Sequence, residues 1–580
     1  MRGATGRSRQ TGVVPSCHRM PQVAAVLCAG RLTAVLMGGL MAGLMARHAA
    51  AFPASDASNP SVVSPATAAT PDQSDVSALQ HQLSLLNPYS ASVGPGWTFT
   101  PSLTLQEAFN DNVFQTQQDR RWDLITYVTP GLAIYGDTQN VQLRFNYAPS
   151  LIYYARNSSL DQLAQNLNAI ADVTLWQDHL YLDVRASVGE GAASGSNPGL
   201  GFGGGGLGQI NTNQPNVALN GLTKNNSSQY TSFAASPYFL QSFGDYGSMK
   251  LGYTLSHSTS SNAAGFVPLP TNTQGPTISQ TSNEELATYT TGQWLERVSD
   301  TVTIDLNQYG GSGNGTTGHS NTASNQVNYV VNRAISVFAS IGYESIDYTG
   351  GDSRSVNDMT WQVGTTLTPD PKSTLSLSYG HQQGIDSLSA NGVYQVTART
   401  SVNLNYGETI GTQLQQLQTQ LAIEDINNVG TLVNSRTGQP ITNASQLLGT
   451  QNQLYKSQTA TVGSSTLLDR DTITVNLQYA VYTAAGAGAT GATSGVTGTA
   501  TWTHTLSEDL SLSASGSYGW RWFIEPGGTN KFTALSAVLN YAISATVSTS
   551  LSYAFYDLNS TQAGQSEYQD IIILSLTKTF

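Results

Sequence analysis

The residues that could do chemistry are few and poorly assembled. In the run Gly199-Leu200-Gly201-Phe202-Gly203-Gly204-Gly205-Gly206, Gly199, Gly201 and Gly204 meet the spacing of a phosphate-cradling loop. Such a loop works between a strand and a helix, with an acid about twenty residues on. Here a Pro- and Asn-rich stretch follows, so the run reads as an external loop. His319 and Ser320 could serve as base and nucleophile, but adjacent strand residues point to opposite faces. The eight His are scattered without ligand spacing, so no catalytic, metal or cofactor site is expected. Asp469-Arg470-Asp471 reads as a charged, solvated turn, and Glu424-Asp425 as a polar patch in the longest loop. A different kind of work is suggested by Arg144, Asp183, Arg185, Lys250, Asp305, Asn307, Asn403 and Asn405. Each falls on the polar side of an alternating stretch. On a closed sheet they would line a lumen, where mixed charge sets selectivity or ladders across a sealed interior.

The elements that must hold them are strands. Apolar residues recur every second position at Val141-Leu143-Phe145-Tyr147, Met249-Leu251-Tyr253-Leu255, Ile473-Val475-Leu477-Tyr479 and Val547-Thr549-Leu551-Tyr553-Phe555. Ser, Thr, Asn, Gln and Arg fill the gaps. Period two gives one apolar and one polar face, and segments of about ten to fifteen residues suit strands that cross a bilayer. Short turns alternate with the long polar stretches Gly189–Ser228, His257–Ser282, Gly310–Ser320 and Leu414–Lys456. Walking the chain with that rule gives an all-β fold: a transmembrane antiparallel β-barrel of about 22 strands, with 20 to 24 open, over residues 96–580. The stretch closes on Ile572, Leu574, Leu576 and Phe580, an apolar register ending in an aromatic, the pattern of a C-terminal assembly signal. Tyr153, Tyr154, Trp176, Tyr181, Trp520 and Trp522 fall where strands meet turns, as interfacial aromatic girdles do.

Composition agrees. Charged residues are 10 %, far below the usual quarter or so, while 27 Tyr, 15 Phe and 8 Trp at regular intervals argue against disorder. Residues 1–51 carry six Arg and no acid; the rest is strongly acidic, which excludes nucleic acid as a partner. The apolar stretch Val23 to Met45, followed by Ala49-Ala50-Ala51, reads as a signal peptide over residues 1–51. Both cysteines, Cys17 and Cys28, would leave with it. Residues 52–95, rich in Pro, Ser and Ala, read as a periplasmic linker or disordered N-terminal tail; Asp75 to Leu86 could form a marginal helix.

Several runs resemble one family. They are Thr104-Leu105-Gln106-Glu107-Ala108-Phe109-Asn110-Asp111-Asn112-Val113, Val128-Thr129-Pro130-Gly131, Tyr153 to Trp176, and Thr397-Ala398-Arg399-Thr400-Ser401 with Asn405-Tyr406-Gly407-Glu408. They are similar to outer-membrane barrels associated with exosortase/PEP-CTERM and exopolysaccharide systems, themselves similar to porin-type barrels. The resemblance implies a bacterial outer-membrane address and a link to secreted polysaccharide or surface-protein systems. Expected partners are outer-membrane lipid and lipopolysaccharide, the barrel-assembly machinery and polysaccharide export components. Porin-like passage or export is the expected function. A non-conducting barrel whose loops bind or scaffold partners is the first alternative, and an outer-membrane enzyme, without a nucleophile and base on one face, the second.

Overall fold

The computed structural model describes residues 96–192, 227–261, 277–312, 317–349, 353–412, 414, 415, 418, 424–426, 432–434, 454–486, 491–523, 527–561 and 566–580. The expected signal peptide, the linker with its Asp75–Leu86 stretch, and the Gly199–Gly206 run lie outside the described residues.

The wall begins with β1 (Gly96–Asn110), β2 (Asp123–Asp137), β3 (Val141–Tyr147, continued by Ser150–Tyr154), β4 (Gln162–Ala164, continued by Leu167–Trp176) and β5 (Leu180–Ala192). It continues with β6 (Ser227–Ser242), β7 (Gly247–Ser260), β8 (Ile278–Thr291), β9 (Val298–Ser312), β10 (Thr317–Asn332) and β11 (Ile335–Thr349). Next come β12 (Arg354–Asp370), β13 (Ser373–Gln382), β14 (Ile385–Thr397), β15 (Thr400–Gly411) and β16 (Tyr455–Leu467). It ends with β17 (Asp471–Ala484), β18 (Ala492–Thr505), β19 (Leu510–Phe523), β20 (Gly528–Ser544), β21 (Val547–Ser560) and β22 (Glu567–Thr579). Every strand is antiparallel to its neighbour, and β22 pairs back onto β1 from Ser102↔Thr579 to Asn110↔Ile571. The fold is a closed barrel of 22 strands, the number expected from the sequence. The break in β3 falls at Ala148-Pro149, where proline has no N–H to give the ladder; the Ala148 N–H is taken by the Asn166 carbonyl in the matching break of β4.

Closure follows from the alternation. Leu251, Tyr253 and Leu255 on β7, Ile473, Val475, Leu477 and Tyr479 on β17, and Ile572, Leu574 and Leu576 on β22 all lie exposed on the outer face. The intervening residues turn inward and pair across strands, as in Ser256–Ser282 (2.6 Å) and Ser550–Ser575 (2.5 Å). An apolar belt can face hydrocarbon only if every backbone amide beneath it is paired, which a closed sheet provides.

Strands outrun the belt. About 9–11 residues cross a bilayer, yet most strands here have 13 to 17. The stretches expected as loops are therefore partly ladder: β5 runs to Ala192, β7 to Ser260, β8 starts at Ile278 and β10 at Thr317. Apolar alternation marks only the part of a strand that meets lipid; beyond it both faces turn polar while pairing continues. Short turns lie at one end of the barrel, where β1 begins at Gly96 and β22 ends at Thr579, and the longest connections lie at the other. The girdle expectation is corrected at two positions. Tyr153 is exposed on the outer face, but its neighbour Tyr154 is buried inside, and Tyr181 stacks on Tyr238 on the inner face.

Candidate functional site

All eight expected lumen residues share the face opposite the apolar belt, because ladder partners carry one face around the ring. They do not form one site. Asp183 accepts a fork from Arg185 (Nε 2.9 Å, Nη2 2.8 Å), and Asp305 accepts the Asn307 amide at 2.7 Å. Lys250 lies over the Tyr238 ring, 4.7 Å from its centre. Arg144 stands on β3 opposite Tyr135, whereas Asn403 and Asn405 sit far round the ring on β15.

Following the inner register strand by strand divides the wall in two. From β2 to β12 it carries acids and bases together, among them Asp123, Arg144, Asp183, Arg185, Lys250, Glu284, Asp305 and Glu344. From β13 through β22 to β1, the described inner residues are overwhelmingly Ser, Thr, Asn, Gln, Gly and Ala. Only Arg521 and Glu567 are charged, both near the loop end. The loop end of β20–β22 and β1–β3 also has an apolar inner lining, with Ile125, Tyr127, Ile152, Tyr154, Tyr556, Ile571 and Ile573 in one buried cluster.

The other loop-end feature was not legible beforehand. β13 and β14 are joined by only Gln383 and Gly384, both with positive φ (56° and 66°), the signature of a type I′ hairpin. This tip has left the ring. The β12–β13 register stops at Trp361↔His381 and the β14–β15 register at Ala390↔Tyr406, so Arg354–Thr360 pair only with β11, and Gly407–Gly411 only with β16. The tip turns inward onto β11, two strands away. There the Glu344 carboxylate, 2 % exposed, accepts the Gln383 N–H at 2.8 Å and the Gly384 N–H at 2.9 Å. Arg354 donates to the Gln383 carbonyl (2.9 Å), and the Gln383 side-chain oxygen accepts the Ile410 N–H (2.8 Å). Ile346, Tyr348, Ile410 and Leu454, with Ile385 and Val356, close apolar contacts around it.

The chain beyond β15 deepens the dent. Thr412 and Gln415 bond reciprocally: the Thr412 N–H donates to Gln415 Oε1 (2.8 Å) and the Gln415 N–H to Thr412 Oγ1 (3.2 Å). That is a capping box, and Leu414, Gln415 and Gln418 are helical. Leu414 packs with Tyr230 of β6 and Ile278 of β8. Three residues past Gly411 can span only about 10 Å, so the loop end of β15 itself leans in toward the β6–β8 wall. Gln280 of β8, wholly buried, accepts Thr412 Oγ1 at 3.3 Å on its side chain and Gln418 Nε2 at 3.1 Å on its carbonyl. The sequence signals were Gln-Gly between two alternating runs and Thr-x-x-Gln after a strand, both weak alone.

The remaining expectations resolve simply. His319 faces out and Ser320 in, so the two cannot act together. Glu424–Ile426 pairs with Leu432–Asn434 as a separate small hairpin. The 469–471 turn is more than a solvated patch: Arg399 reaches Asp469 at 3.0 Å, and Asp471 accepts Trp502 Nε1 (2.8 Å) and contacts His504 Nδ1 (2.7 Å).

A closed antiparallel ring with an apolar outer belt and a polar interior defines the membrane-spanning β-barrel class. Residues 467–580 match the family described as "Putative beta-barrel porin 2", a stretch holding the last six strands. Among solved structures, the chain is similar to the FrpB iron transporter from Neisseria meningitidis (F5-1 variant), with 11% identity, 84% of this chain and 83% of that one covered, and a TM-score of 0.48. It is also similar to the siderophore receptor PirA from Acinetobacter baumannii, with 10% identity, coverage of 84% and 81%, and a TM-score of 0.47. A comparison with curated proteins finds no match.

Proposed function

We propose that this chain is an outer-membrane barrel that passes solute through its lumen. The observation that carries the reading is the closed 22-strand ring with apolar residues outward and a hydrophilic wall inward. A ring of that size is too wide for its own side chains to fill. The porin-type match of the last six strands supports the bacterial outer-membrane address. Short turns then lie in the periplasm, the belt contacts lipid and, at the loop end, lipopolysaccharide, and the assembly machinery reads the terminal strand. Passage serves export for a surface-polysaccharide or surface-protein system, with that system's export components as partners, and involves no catalytic step. The test is planar-bilayer recording of the refolded full chain: stepwise conductance is expected, and a heat-modifiable, folded barrel that never conducts would overturn the reading.

The inward hairpin and the contacts of Thr412, Leu414, Gln415 and Gln418 favour a second reading, a barrel pinched at the loop end that serves as a scaffold. The same recordings decide, because a scaffold stays silent even when the pinch is loosened.

A further inference from the structure

One half of the inner wall is nearly free of charge. We propose, resting on the passage reading, that the lumen carries an uncharged, polyhydroxylated chain of saccharide type along β13–β20. Among the described inner residues of those eight strands the one charge is Arg521, at the loop end. The rest of the way the wall offers hydroxyls and amides, laterally paired in Thr499–Ser517 (3.0 Å), Thr503–Ser513 (3.0 Å) and Ser515–Ser536 (2.8 Å). A hydroxyl has one donor and two acceptor sites, so each pair leaves capacity for a third partner. At the turn end this wall opens into a cavity of about 190 Å³, continuous with solvent, lined by Ser511, Asn540, Ser550, Ser575 and Thr577 and, from the turn before β19, by Glu508 and Asp509.

Other cargo classes fit less well. A charged chain moving along this wall would shed water without meeting a countercharge. On the opposite wall it would meet both signs together, with Arg185 already tied to Asp183 at 2.8 Å, and so no single-sign track. A polypeptide would bring apolar side chains to a wall whose turn-end half presents few apolar side chains to receive them. A neutral saccharide exchanges hydrogen bonds with water for hydrogen bonds with the wall at each step.

The experiment uses the full chain in planar bilayers and, separately, in detergent. Linear maltoheptaose, an oligogalacturonate of equal length and an uncharged peptide of Gly, Ser and Leu are added from the turn side, and current-block residence times are read. Maltoheptaose should dwell on the order of tenfold longer than either rival, roughly the worth of one well-made polar contact. Asn540→Asp, which places a charge on the neutral wall, should remove most of that difference. Equal dwell for all three probes, or longer dwell for the charged one, would overturn the inference while leaving conductance, and so passage, intact. A folded barrel that does not conduct would count against passage instead. Calorimetry in detergent then tests the wall alone, and no preferential heat with maltoheptaose overturns the assignment.

Discussion

The loop end closes in two places by the same device, a buried side chain that captures the backbone of a turn, and the two places differ in what surrounds the capture. At the β22–β1 seam the ladder is unbroken to Asn110↔Ile571, and Asn112 extends it. Its amide donates to the Tyr568 carbonyl (2.9 Å) and the Thr116 carbonyl (2.8 Å), while Gln569 donates to its own carbonyl (3.1 Å). Next door, Asp123 accepts the N–H groups of Leu124, Arg156 and Asn157 and the Asn157 amide, at 2.7–3.0 Å. Both residues are wholly buried, against the apolar cluster of β20–β3. At the dent, Glu344 makes a similar capture, but the strands on either side have lost their neighbours. The seam is built to stay shut. The dent is held inward by a few contacts that could be exchanged.

The largest effect is therefore expected at Asp123. Asp123→Ala leaves three part-buried backbone N–H groups without their acceptor, each worth about 1 kcal/mol, and a loss of about 3 kcal/mol in unfolding by denaturant is expected. Asn112→Ala should follow at about 2 kcal/mol, with the heat-dependent shift in gel mobility occurring at lower temperature. If neither variant moves the unfolding curve, the seam is no firmer than the dent and the contrast fails.

These clasps explain what sequence could and could not show. The runs Ala108-Phe109-Asn110-Asp111-Asn112-Val113 and Tyr153 to Trp176 stood out by resemblance, and in the fold they are closure devices: Asn112 ties the last strand, and Asp161 accepts the Tyr154 N–H at 2.8 Å. Ring and strand number were legible because alternation is local and survives any tertiary arrangement. The dent was not, because Gln383-Gly384 reads as an ordinary hairpin tip and its inward turn depends on Glu344, which lies 39 residues earlier. The nearly neutral half wall was legible only in part. Asn403 and Asn405 were noticed as polar, but that their neighbours on β16–β19 are neutral as well requires the ring order.

At the dent the expected ranking reverses between two measurements. Glu344→Gln keeps one acceptor oxygen and replaces the other with a donor facing the Gln383 or Gly384 N–H. The loss in global stability should be about 1 kcal/mol, below either seam variant, since the hairpin's own ladder from Thr374↔Val393 to Gln382↔Ile385 is untouched. Single-channel current, by contrast, should rise and fluctuate, because the tip is freed to return toward β12 and β15. A quiet channel with unchanged current would show that the apolar contacts of Ile346, Tyr348 and Ile410 hold the tip without the carboxylate.

The smallest effect belongs to the turn end, which serves as the reference for both. Arg399 and Asp469 link two neighbouring turns at 3.0 Å, but their side chains are 60% and 84% exposed. An ion pair so solvated gains little in water and loses side-chain entropy, so Asp469→Asn should change stability by no more than about 0.5 kcal/mol and leave conductance as it was. A larger loss would mean that the short turns, and not the captured loops, carry the ring's stability. The difference between seam and dent would then be one of local geometry alone, with no bearing on which part of the barrel can move.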